Sequence, residues 1–191
     1  MRVLERENPT AAERKDRGGT IKEVALFYFF LFWGGCLVGW IYEEIFYLFT
    51  EGVLEKRGFL YGPYLPVYGF GALLIQLFLK RFKGKPGVVF VFSAVITGVL
   101  EYITGTLMWM IWRRRWWDYT GLFWNIDGYV CLRSVLTFAV GGLLLLYILE
   151  PVLRKGYDRL ERKAVSIAGG SLAVLLLLDC IFSFLFRNPV G

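Results

Sequence analysis

Histidine is absent from the 191 residues, and with it go the commonest general base near neutral pH and the commonest transition-metal ligand. Ser-His-Asp hydrolysis is thereby excluded, zinc chemistry loses its usual ligand, and no metal site is expected. Cysteine is scarce: Cys36, Cys131 and Cys180 each lie in an apolar run with no CxxC partner. That pattern argues for small packing residues rather than a disulfide framework or a metal knuckle. No GxxxxGK[ST] loop occurs, so an ATP-driven step would need a separate ATPase subunit, and no cofactor motif is seen. Charge is also sparse, at 20% of the chain, and it is gathered in blocks between long uncharged runs.

What fills those runs is apolar. The chain is 57% hydrophobic and 18% aromatic with a mean hydropathy of +0.52, which reads as an all-α integral membrane protein crossing the bilayer several times. The net charge of +6 suits contact with the anionic inner leaflet rather than with nucleic acid. Residues 1–22 mix both signs of charge around no apolar centre, which predicts a cytoplasmic tail rather than a cleavable signal. The transmembrane domain then covers 23–191.

Hydropathy predicts a bundle of five spans at about 24–49, 65–79, 87–110, 129–149 and 167–186. In the first, Gly35, Gly39 and Glu43 recur every four residues, putting small side chains and one carboxylate on a helix-packing face. In the third, Ala94, Gly98, Glu101, Gly105 and Met108 form a similar stripe, so Glu101 points inward. The fourth carries Arg133 and the fifth Asp179; Arg133 is expected to pair with Asp179 or Glu101. Outside the spans, fifteen Lys and Arg residues fall in the tail, the Lys80–Lys85 turn and the Arg154–Lys163 linker, against six on the opposite side. The positive-inside rule then predicts an inner N-terminus and an outer C-terminus. At about 1.5 Å of rise per residue, Glu101, Asp179 and Arg133 all fall in the outer half, where charges face the bundle interior.

Two segments stand apart on the outer side. Arg57 to Gly71 is dense in glycine and proline, which breaks regular helix and predicts a shaped turn. Arg113 to Asp127 joins two apolar helices with three arginines, four aromatic rings between Trp116 and Phe123, and Asp118. The arginines and tryptophans read first as an interfacial belt, whereas Asp118 is placed to fix loop to loop or to meet a ligand. Arg57, heading the turn, is expected to pair with Asp118 or Glu43.

The sequences RGFLYGPYLPVYGFG, EYITG and WWDYTGLFWNIDGYVCL, following GWIYE in the first span, resemble the putative ABC-transporter type IV (CmpB-like) permease family of small bacterial membrane proteins. The resemblance covers Gly39 to about Pro151, with the tail and the last span outside it. It implies a multi-pass transport component of the bacterial inner (plasma) membrane. Carried over by position, it marks Gly39, Trp40, Glu43, Arg57, Gly58, Gly62, Pro63, Pro66, Tyr68 and Gly69. It also marks Glu101, Tyr102, Trp117, Asp118, Tyr119, Asn125 and Gly128. Two positions depart from the family: Trp109 replaces a glutamate and Tyr129 an arginine.

The leading expectation is an outward-facing pocket that binds a small organic, cationic or lipid-like solute. Its site residues are Glu43, Glu101, Asp118, Arg57, Trp40, Tyr68, Tyr102, Trp117 and Asn125. The glycines and prolines at 58, 62, 63, 66, 69 and 128 shape the loops. Two alternatives stay open: an enzyme acting on lipid or polyprenyl substrates with Glu101 or Asp118 as acid or base, and a non-catalytic scaffold packing through its GxxxG faces. A homo-oligomer fits any of the three.

Overall fold

The computed structural model describes residues 11–52 and 58–186, with side chains from residue 21 onward. Every extended element among them is helical: α1 Ala11–Glu51, α2 Pro66–Leu79, α3 Pro86–Trp112, α4 Leu132–Leu144, α5 Glu150–Arg159 and α6 Arg162–Phe186. Pro66 and Pro86 open α2 and α3, where a missing N–H costs nothing and the fixed φ suits the first turn. Between α4 and α5 the chain runs on through a π turn, Leu145–Leu149. Pro151 explains it, because a proline can neither donate to nor fit against the carbonyl four residues earlier. α1 is already helical at Ala11, so residues 11–22 of the expected tail are helical.

Four helical stretches are long and apolar enough to cross a membrane: Ile21–Glu51, Pro86–Trp112, Leu132–Arg159 and Arg162–Phe186. The expected second span is a helix of only 14 residues, about 21 Å at 1.5 Å per residue against a hydrocarbon core of about 30 Å. The reason is where it starts. Leu65 donates its N–H to the Cys36 carbonyl at 3.1 Å, halfway along α1, so the chain leaving the end of α1 turns back down its side before α2 begins. Small residues permit the approach: a Cβ at Gly39 would lie 2.1 Å from the Tyr68 ring, and one at Gly69 2.4 Å from Cys36 Sγ.

α4 starts low in the same way. A Cβ on Gly98 would meet Val135 at 3.5 Å, and one on Gly105 would meet Tyr129 at 2.6 Å. The segment before α4 is therefore level with the middle of α3, which continues beyond Glu101 for about 16 Å to Trp112. Both motif loops thus re-enter a bundle whose walls are α1, α3 and α6. Irregular backbone at membrane depth must be buried in protein or line a wet cavity, and Leu60, Tyr64 and Leu65 of the first loop and Gly128 to Cys131 of the second are buried.

The two ends differ in chemistry. At one, Lys83 and Arg154 pair with Glu150 at 3.5 and 2.7 Å, Arg162 pairs with Glu23 at 3.3 Å, and Tyr157 caps the Glu23 carbonyl at 2.9 Å. At the other, Phe59 packs on Trp112 and Trp116 with centroids 4.8 and 5.5 Å apart. α6 reaches that end through Asp179, whose carboxylate accepts from the Tyr61 and Gly62 amides at 2.8 and 2.7 Å, the Ser183 hydroxyl at 2.8 Å and the Tyr64 hydroxyl. The expected pairing of Asp179 with Arg133 gives way to this arrangement. Backbone amides of the re-entrant loop would otherwise go unsatisfied, and a carboxylate at their level supplies both acceptors.

Candidate functional site

Glu101 lies about four turns into α3 and is 4% exposed, on the face formed by Ser93, Thr97 and Gly105. Its Oε1 accepts from the Tyr119 hydroxyl at 3.0 Å. Its Oε2 is buried with no hydrogen-bond partner, because the Ser134 hydroxyl beside it donates to the Cys131 carbonyl at 2.9 Å instead. On α1, Glu43 accepts from the Tyr68 hydroxyl at 2.9 Å, and the two carboxylates are within electrostatic reach of each other. Between them lies a cavity of about 370 Å³ whose lining includes Phe59, Trp116, Tyr42, Tyr68, Trp117 and Tyr119. That volume suits a small molecule or a head group. Trp116 contributes a second orphan to this wall, a buried Nε1 without an acceptor. Buried polar atoms normally find partners, so one orphan acceptor and one orphan donor on the same chamber point to a guest with matching groups.

The 113–131 loop positions Tyr119. Arg113 ends α3 in the left-handed region, its N–H on the Trp109 carbonyl at 2.8 Å. Arg115 then bridges to the Asp127 carbonyl at 2.9 Å and to Asp118 at 3.2 Å, and Tyr119 bonds through its N–H to the Gly128 carbonyl at 2.8 Å. Trp117 is fixed by Nε1 on the Tyr129 carbonyl at 2.9 Å. Gly128 has φ +73°, and a Cβ there would meet Arg115, Asp118 and Thr120 within 2.7 Å, so both backbone and space require glycine. Cys131 and Ser134 cap the start of α4 reciprocally, which places Ser134 beside Glu101.

Of the expected site residues, Glu43, Glu101, Tyr68 and Trp117 line the chamber. Asp118 does not. It is exposed, tied to the Thr120 amide at 2.9 Å and to Arg115, and the Thr120 hydroxyl and amide hold its carboxyl below the usual carboxylate range. Asn125 is likewise internal to the loop, donating to the Leu122 carbonyl at 3.0 Å and accepting from the Gly128 amide at 3.3 Å. Tyr102 donates to Asp127 at 2.9 Å, and Trp40 lies outside the chamber wall. Arg57, and with it the expected pairing to Asp118 or Glu43, lies outside the described residues; Asp118 pairs with Arg115 at 3.2 Å. Arg133 pairs with neither Asp179 nor Glu101: its guanidinium stacks over Phe46 and Tyr119 at 5.0 and 5.9 Å from their centroids. In place of an ion pair it makes cation–π contacts. Cys36 and Cys131 are buried as expected, but Cys180 is exposed.

Tyr119, Tyr42 and Trp116 are among the chamber residues that sequence reasoning did not choose as site residues. Tyr119 carried a signal: Trp117 and Tyr119 face the cavity while Asp118 faces away, the alternation of an extended segment. A second, larger groove of about 970 Å³ runs between α1 and α6 and is lined almost wholly by apolar side chains. Among the described residues no cluster of three His, Cys, Asp or Glu side chains could hold a metal.

No curated protein and no solved structure matches the chain. A family model does, over residues 27–184, so the last span, expected to lie outside the family, is inside it. Glu43, Asp179, both re-entrant loops and Glu101 all fall within the match. The chain belongs to the family described as "Putative ABC-transporter type IV".

Proposed function

We propose that the protein is a membrane transport component and that the 370 Å³ chamber is its solute site. Glu101 is the central ligand or proton-exchanging group, and Glu43 supports it from α1. The observation that carries this reading is the buried, unpartnered Oε2 of Glu101 on the wall of an aromatic chamber. An intramembrane carboxylate is costly and normally functional, and carboxylates among aromatic faces favour a cation. Clustering of the Lys80–Lys85 turn, the Arg154–Lys163 linker and the start of α1 at one end supports a cytoplasmic side there. The chamber then opens toward the outer face of the plasma membrane. With no phosphate-binding loop in the chain, a separate ATPase subunit would supply energy, docking on the Arg154–Lys163 linker.

The test is Glu101→Gln, nearly isosteric and unable to ionise. Organic ammonium ions of graded size should raise the melting temperature of the detergent-solubilised wild-type protein, and organic anions should not. Glu101→Gln should remove that response while leaving the unliganded melting temperature and oligomeric state as they were. A Glu101→Gln protein that still responds to the ammonium ions would reduce the carboxylate to a packing group. Gentle extraction from native membranes should bring an ATPase with the protein.

A further inference from the structure

We infer that the solute is an amine-bearing phospholipid, held with its head group in the chamber and an acyl chain in an adjoining groove. This rests on the reading of the chamber as a solute site. The groove, about 820 Å³, runs between α1, α2 and α4 and shares Tyr42, Tyr68, Arg133, Thr137 and Phe138 with the chamber, so the two cavities meet at Arg133. Below that junction its walls are hydrocarbon: Val38, Leu136, Val140, Leu144, Ile148 and Val152. From Arg133 to Val152 the helix rises about 28 Å at 1.5 Å per residue, ample for one acyl chain.

The chemistry changes along this path in a definite order. The open oxygen of Glu101 belongs to the chamber alone, the Arg133 guanidinium to the junction shared by both cavities, and an apolar trough follows. An ammonium, a phosphate and an acyl chain occur in that order in an aminophospholipid. A carboxylate suits the ammonium and a guanidinium fork suits the phosphate. The direction agrees too, since the groove leaves the chamber away from the motif loops, as a tail leaves the head group of a lipid in the leaflet on that side. A lipid merely surrounding the protein keeps its head group at the interface. Here the head group would sit at the level of Glu101, about 16 Å of helix below the end of α3.

Gly141 separates the two parts of the site experimentally. It lines the groove and not the chamber, and a Cβ there meets nothing within 4 Å, so a side chain can start from this position without a clash at its base. Calorimetric titration of the full chain in neutral detergent would use dioctanoyl phosphatidylethanolamine, dioctanoyl phosphatidylglycerol, dioctanoylglycerol and phosphoethanolamine. The phosphatidylethanolamine should bind at least about tenfold tighter than the other two lipids. Gly141→Leu and Gly141→Trp should weaken it about tenfold and leave phosphoethanolamine binding unchanged, with Gly141→Ala close to wild type. Equal binding of all three lipids, or a folded Gly141→Trp protein with undiminished lipid affinity, overturns the inference. If phosphoethanolamine binds in a Glu101-dependent way and the acyl chains add nothing, the inference fails and the chamber reading stands. If Glu101→Gln alters the binding of none of them, both fail.

Discussion

Asp179 ties α6 to the loop before α2 through hydrogen bonds from Tyr61, Gly62 and Tyr64, and Asp179→Ala tests how much of that attachment it carries. Its carboxylate takes two backbone amides of the re-entrant loop, at 2.8 and 2.7 Å, together with the Ser183 and Tyr64 hydroxyls. A hydrogen bond to a charged group contributes about 1.5–3 kcal/mol. The Tyr61 amide is exposed and the Gly62 amide half-buried, so the lower half of that range applies to the first. The two amides together give about 3–5 kcal/mol, and the hydroxyls, free to find other partners, add little. Asp179→Asn should fall between wild type and alanine, because one amide oxygen can serve one N–H while its NH₂ faces the other donor. Unfolding free energies in bicelles, measured by steric trapping, read these differences directly. A loss below about 1 kcal/mol for Asp179→Ala would refute the reasoning, since the loop amides would then have to be satisfied without α6.

Gly128→Ala should cost about 1–3 kcal/mol for the left-handed backbone alone and more for displacing Arg115, Asp118 and Thr120; a melting temperature within a degree of wild type would contradict it. Asp118 titrates below an ordinary aspartate because the Thr120 hydroxyl and amide favour its charged form, so its contribution is present above the unfolded value, about 3.9, and is lost as pH falls through the lower folded one. Acid titration of the loop, followed by tryptophan fluorescence, should show a transition below pH about 3.9 that Asp118→Asn abolishes; identical curves would remove Asp118 from the loop's stability. For orientation, single cysteines replacing Gly84 and Lys155 should resist an impermeant thiol reagent in intact cells, and one replacing Gly121 should react. Labelling at position 84 would invert the topology.

The membrane class, the helices and their contact faces were legible in sequence because each depends on local periodicity. Gly35 and Gly39 face α2, and Gly98, Glu101 and Gly105 face α4 and its preceding loop, as spacings of three and four require. The pairing of the two motif loops at one end followed from counting charges on alternate sides. Depth did not follow. A hydropathy window over 65–79 registers apolar residues but not that Leu65 reaches the Cys36 carbonyl, so a short helix behind a re-entrant loop looked like one more span. Partners of charges were equally out of reach. Asp179 finds donors 115 to 118 residues away, Arg133 finds rings where an acid was expected, and Asp118 turns to its own loop. Composition and spacing say that a buried charge needs compensation, but several groups along the chain could supply it. Only the packed arrangement of α1, α3 and α6 around two re-entrant loops selects which of them are close enough to do so.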